Sequence, residues 1–199
     1  SGTGGSFANA ALPNTTFSGT AGSTYTLRWT ISNAPCPAST DDVIITFNRS
    51  PTTANAGADQ TGATTCGLTT VTLAANTPTV GTGAWSVVSG TGGSLANASS
   101  PTSTFTGTAG STYVLRWTIS NAPCAASFDE MTVTFNQNPV VTCPGNLTVN
   151  FSDPAFALAG GSPSGGTYSG AGVSSGMFNP AVAGGGTHTI TYAYATAAG

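Results

Sequence analysis

Residues 1–51 return almost unchanged at 89–139, aligning without a gap and agreeing at 36 of 51 positions. Tyr25, Leu27, Arg28, Trp29, Ile31 and Cys36 recur in register as Tyr113, Leu115, Arg116, Trp117, Ile119 and Cys124, so the match is more than a by-product of Gly/Thr-rich composition. Self-similarity at one fixed offset is the mark of tandem modules. The period is too long for one solenoid coil and fits a β-sandwich module of roughly 90–100 residues. A recurring Phe-Asn-x-x-Pro, at Phe47–Pro51 and Phe135–Pro139, divides the chain. Residues 1–50 read as the C-terminal part of one module, 51–138 as a complete module, and 139–199 as an incomplete module of a related type. The chain therefore reads as a window cut from a longer tandem array.

The strand signal is clearest in the repeated segment. From Tyr113 to Ser120 apolar and polar residues alternate, with Tyr113, Leu115, Trp117 and Ile119 facing one way and Val114, Arg116 and Thr118 the other. Met131, Val133 and Phe135 alternate with threonines, Val71 and Leu73 sit among threonines, and Trp85 and Val87 flank Ser86. Gly, Pro, Asn or Ser bounds each run. No stretch keeps a 3.6-residue period over three turns. The expected fold is all-β, as tandem immunoglobulin-like sandwich modules in a rod-like array. Tyr113, just after the Ala109-Gly-Ser-Thr turn, is placed like a tyrosine corner, whose hydroxyl returns to the backbone. Trp85 and Trp117, with Trp29 in the first copy, are expected to fill the core.

Composition narrows the setting. Only 5% of the residues are charged, with three Arg, no Lys and six acids, so nothing tracks a phosphate backbone and nucleic acid is excluded as a partner. No apolar run approaches the ~20 residues of a membrane span. Polarity from Thr, Ser, Asn and Gly, together with four cysteines, fits an oxidising extracellular setting. By placement, Cys66 and Cys124 are expected to close the complete module, with the partners of Cys36 and Cys143 outside the segment. The rival pairing is Cys36–Cys66 with Cys124–Cys143.

The motifs Asn55-Ala-Gly-Ala-Asp-Gln60, Leu73-Ala-Ala, Gly83-Ala-Trp-Ser and Tyr113-x-Leu-Arg-Trp-Thr-Ile-Ser-Asn resemble the PKD-like repeats of large cell-surface proteins of Bacteroidetes. Phe156-Ala-Leu-Ala-Gly-Gly, Gly165-Gly-Thr-Tyr-Ser-Gly-Ala-Gly-Val173 and Gly186-Thr-His-Thr-Ile-Thr-Tyr192 are similar to a companion bacterial Ig-like repeat that usually closes with a Cys. The resemblance implies type IX secretion and display as long fibres, some serving gliding motility or adhesion.

Catalytic chemistry is thinly supplied. His188 is the only histidine and reads as a strand-surface residue. Asp129 and Glu130 are adjacent, and adjacent strand residues face opposite ways, so they cannot flank one glycosidic bond. Asp41 and Asp42 repeat that acidic step; with Asp59 these acids are the candidates for a structural Ca²⁺ site, against which stands pairing with Arg116 and Arg28. No other cofactor is called for, and the chain is not expected to be an enzyme. Tyr168, Phe178, Tyr192 and Tyr194 are the candidate platform for glycan binding. The expected partners are neighbouring modules of the same chain, surface glycans or other fibre chains. The expected role is a rigid spacer in a surface fibre or adhesin. The alternatives are a glycan-binding accessory module and a subunit of a strand-exchanged filament.

Overall fold

The computed structural model describes residues 2–195, and its regular structure is almost entirely antiparallel β. The chain gathers into two compact units. One comprises the residues up to Asp59 with Thr70–Thr106 and Tyr113–Thr132; the other comprises Gln60–Thr69, Gly107–Thr112 and the residues from Val133 on.

The first unit opens with strands β1 (Ser6–Phe7) and β2 (Phe17–Ser18), paired to each other. Strands β3 (Thr24–Ile31) and β4 (Ser39–Thr46) form a hairpin in register from Thr24↔Thr46 to Ile31↔Ser39. The period-two pattern of β3 ends at Ser32-Asn-Ala-Pro35, where the Cys36 N–H closes a turn on the Asn33 carbonyl at 2.9 Å. Six further strands follow: β5 (Thr70–Thr72), β6 (Thr82–Ser89), β7 (Ser94–Leu95), β8 (Thr104–Thr106), β9 (Thr112–Asn121) and β10 (Cys124–Thr134). They form two sheets, ordered β5-β8-β7 and β10-β9-β6. At the repeat offset, β7 and β8 restate β1 and β2, and β9 and β10 restate β3 and β4. Strands β5 and β6 have no counterpart among the described residues of the first repeat.

The core of the second repeat follows the alternation read from sequence. Tyr113, Leu115, Trp117 and Ile119 are fully buried, while Val114, Arg116 and Thr118 are half-buried on the other face. Strand β6 lies on β9 with Trp85 opposite Trp117 and Gly83 opposite Ile119. The two indoles stand 5.2 Å apart. A side chain at Gly83 would run into the Trp117 ring, so the close approach of the two strands demands glycine there. Phe105 on β8 meets Tyr113 on β9 at 5.0 Å and joins the two sheets. The Tyr113 hydroxyl donates to the Thr91 carbonyl at 3.1 Å, and Tyr25 does the same to Thr3 at 3.2 Å. The hydroxyl thus returns to the backbone in both copies.

Neutral hydroxyls carry much of the surface pairing. Thr24 meets Thr46 at 3.0 Å, Thr52 meets Thr79 at 3.1 Å and Thr70 meets Thr106 at 3.4 Å. The link between the repeats is tied down as well. The Asn121 side-chain amide donates to the Arg49 carbonyl at 2.7 Å, and the Thr52 N–H donates to the Val80 carbonyl at 3.0 Å.

In the second unit, a single 3₁₀ turn at Gly62–Thr65 is held by the Asn136 amide, which donates to the Gly62 carbonyl at 2.8 Å. Gln60 and Cys66 make parallel bridges to Val133 and Asn136. Thr112 and Thr134 share a hydroxyl contact of 3.0 Å. Beyond Pro139 the strands are short: β11 (Phe156–Ala157), β12 (Thr167–Ser169), β13 (Val173–Ser174), β14 (Met177–Phe178) and β15 (Thr191–Ala193), in sheets β11-β14-β13 and β12-β15. The one helix among the described residues, α1 (Pro180–Ala183), was not legible from periodicity because it is a single turn. Asn179 caps it by accepting from the Ala181 N–H at 3.1 Å, with Pro180 at the first helical position.

Candidate functional site

The two copies of one motif differ in what covers them. In the second repeat β6 lies along β9 and closes the core. In the first, β3 and β4 form a two-stranded sheet, and the residues equivalent to buried ones stand open. Trp29 is 40% exposed, Ile31 63% and Val43 55%, where their equivalents Trp117 and Ile119 are fully buried and Met131 is 2% exposed. The expectation that Trp29 fills a core is therefore corrected. The residue and its strand are the same, but among the described residues no strand lies along the other edge of β3 as β6 lies along β9. An open groove of about 290 Å³ runs beside β3, floored by Phe7, Phe17, Tyr25 and Leu27. Tyr25 stays buried because Phe17 and Phe47 pack edge-on against it at 5.1 and 5.8 Å.

Four of the five acids read as calcium candidates are held separately by other groups. Asp42 takes a two-point hydrogen bond from Arg28, with Nε to Oδ1 at 2.8 Å and Nη2 to Oδ2 at 2.9 Å. Glu130 accepts from both Nε and Nη2 of Arg116 on one oxygen, and the guanidinium also lies 4.4 Å from the centre of the Phe128 ring. Asp129 points the other way and accepts the Ala56 N–H at 2.8 Å; Asp59 accepts the Thr132 N–H at 2.8 Å. Asp41 is exposed on β4, opposite Trp29. Among the described residues no three His, Cys, Asp or Glu side chains gather into a metal-sized group. Of the five acids read as calcium candidates, Asp42 and Glu130 pair with arginines and Asp59 and Asp129 cap backbone N–H groups, while Asp41 is exposed; the strand sends Asp129 and Glu130 to opposite faces.

The Arg28 guanidinium, through its hydrogen bonds and then its charge, holds the Asp42 carboxyl below the usual carboxylate range. A depressed folded-state value means the pair favours the folded form above the ordinary Asp value of ~3.9 and loses that contribution as pH falls through the depressed value. An NMR titration is expected to find Asp42 protonating at lower pH than a free Asp, and Arg28→Met is expected to restore ordinary behaviour. Both side chains are substantially exposed, so the effect on thermal stability is expected to be small.

No disulfide joins the four cysteines to one another; Cys36, Cys66 and Cys143 are exposed. The expected Cys66–Cys124 bridge is not formed, and neither is the rival pairing. Cys124 opens the eleven-residue strand β10, whereas Cys66 bridges Asn136, two residues past the other end of that strand. A disulfide requires Cα atoms within about 7 Å, far less than an extended strand of that length.

The aromatic platform is also corrected. Tyr192 and Phe178 are buried, and Tyr168 is half-buried 4.7 Å from Tyr192. The Tyr192 hydroxyl donates to the Pro163 carbonyl at 2.5 Å and accepts the Gly166 N–H at 2.8 Å. The Tyr168 hydroxyl accepts the Gly161 N–H at 2.6 Å. These rings form the small core of their region and present no stacking face for a sugar. Tyr194, half-buried, lines a shallow groove of about 280 Å³ with Gly165, Gly166 and Thr167. His188 lies ahead of β15 rather than within a strand, its Nε2 3.0 Å from the Gly184 carbonyl.

No protein-family model matches the chain, and no curated protein matches it. No helix among the described residues is long and apolar enough to cross a membrane.

Proposed function

We propose that this chain is a non-catalytic structural segment of a long extracellular surface fibre or adhesin, built of tandem PKD-like, immunoglobulin-like modules that act as a rigid spacer. The observation that carries this reading is the recurrence of one local design at a fixed offset. The same hairpin (β3–β4, then β9–β10), the same returning tyrosine hydroxyl and the same arginine-to-acid pair appear in both repeats. Evolution of a catalytic site gives no reason to duplicate a scaffold with its surface pairings. Extension of a rod does. The tied-down link at Arg49 and Thr52 supports stiffness, because a short Pro-containing connection with its carbonyl and amide groups engaged does not swing freely. Export by a type IX route and service in gliding or adhesion follow from the resemblance of the motifs.

The test is made on the native source. An antibody raised against residues 1–195 is expected to label intact cells, and the denatured, reduced polypeptide it detects is expected to be far larger than 19.4 kDa. A protein found only inside the cell, with a mass near 19.4 kDa, overturns the reading.

A further inference from the structure

We propose that the second repeat is a load-bearing module, in which residues 54–59 and strand β10 form a clamp against tension that enters at Pro51 and leaves at Pro139. The proposal rests on the reading of the chain as a spacer in a surface fibre and adds what that spacer withstands.

The clamp begins in a stretch whose sequence gives no strand signal. Ala54-Asn-Ala-Gly-Ala-Asp59 holds only residue types that strands disfavour. It lies along β10 all the same, and side chains rather than carbonyls make the bonds. The Ala54 N–H donates to Ser127 Oγ at 2.9 Å and the Ala56 N–H to Asp129 Oδ2 at 2.8 Å. In the opposite sense, the Thr132 N–H donates to Asp59 Oδ1 at 2.8 Å. Partners in each bond are 73 residues apart, so the two segments run parallel in one register. Small methyl groups let the segment seat closely, and Ala54 and Ala56 are buried. Its other flank is held too. The Asn55 N–H donates to Asn76 Oδ1 at 2.9 Å, and the Asn76 amide donates to the Thr53 carbonyl at 2.9 Å. Within the second unit the register continues, with Gln60 bridging Val133 in parallel.

Direction decides what these bonds do under load. Tension draws residues 54–59 toward Pro51 and β10 toward Pro139. Because the two segments run the same way, the pulls are opposed along their length. The bonds between them are sheared together instead of opening one after another. Two of the three acceptors are carboxylates, which make the stronger kind of hydrogen bond. Strands β5 to β9 lie between the halves of the clamp in the chain, so they are shielded until it fails.

The full chain, held by its two ends in an optical trap, tests this. Unfolding of the second repeat is recognised by the length that residues 51–138 release. Asp129→Ala is expected to shorten the folded lifetime at a fixed force about tenfold, as for loss of one hydrogen bond to a charged group. Asp59→Ala is expected to do the same, and Asp129→Asn, whose Oδ1 still accepts, to recover most of the lifetime. Phe105→Ala supplies the contrast, because it removes a buried ring that joins the two sheets. It is expected to lower stability in urea more than Asp129→Ala does, yet to shorten the lifetime under force less. The unsubstituted clamp gives a second reading. Handles attached at positions 51 and 122 draw both halves from the same end, unzip the clamp and are expected to rupture the repeat at a much lower force. Equal rupture forces in the two geometries overturn the proposal. So does an unchanged lifetime in Asp129→Ala, or a ranking of lifetimes under force that follows stability in urea. All of these are read on the purified chain, so they fail independently of cell labelling.

Discussion

Trp117→Ala is expected to lower the unfolding free energy of the second repeat by about 3–5 kcal/mol, the usual cost of removing a large aromatic from a packed core. The identical change at Trp29 is expected to cost about 1 kcal/mol or less, as for a partly solvated side chain. Both residues sit in the same Arg-Trp-Thr-Ile sequence, so neither propensity nor local pattern separates them. Trp117 is sealed beneath β6 and touches Trp85, while Trp29 has only the hairpin under it. Urea unfolding followed by circular dichroism measures both variants. Equal costs would mean that the first repeat holds its tryptophan in a closed core after all. Burial at Trp117 is not without tension: its indole N–H has no hydrogen-bond partner. Trp117→Phe is therefore expected to cost less than loss of ring size alone implies, since it also removes an unsatisfied donor.

Tyr192→Ala is expected to destabilise the region beyond Pro139 by about 3 kcal/mol, from loss of a buried ring that packs on Tyr168. Tyr192→Phe separates ring from hydroxyl. It leaves the Gly166 N–H and the Pro163 carbonyl without their shared partner and is expected to cost about 1–2 kcal/mol. The three tryptophans lie at 29, 85 and 117, so tryptophan fluorescence is blind here. Faster hydrogen exchange across Thr167–Ser169 is the appropriate readout. No change in either variant would return Tyr192 to the surface and revive its reading as a sugar-stacking residue.

The alternation of Tyr113, Leu115, Trp117 and Ile119 announced a buried strand face, and the returning tyrosine hydroxyl was legible from its position after a glycine turn. The opposed directions of Asp129 and Glu130 also followed from strand geometry alone. The cysteine pairing did not. Spacing along the chain says nothing about which way a segment runs beside a strand. Here the stretch from Ala54 to Cys66 runs parallel to β10, meeting Ser127, Asp129 and Thr132 and then Val133 and Asn136 in turn. Cys66 is thereby carried away from the Cys124 end. The tyrosines beyond Pro139 misled for a different reason. Where isoleucine and leucine are scarce, aromatic rings are the available core material, and a cluster of them reads the same whether it faces water or the interior.

The threonine pairs that line the sheets have a consequence for the medium the protein tolerates. Hydroxyl-to-hydroxyl contacts such as Thr24–Thr46 and Thr112–Thr134 hold no net charge. Dissolved ions that weaken surface ion pairs leave them untouched. With three arginines and six acids in 199 residues, little on this surface responds to salt or to mild changes of acidity. Charge screening by dissolved salt is accordingly expected to change its folding stability little.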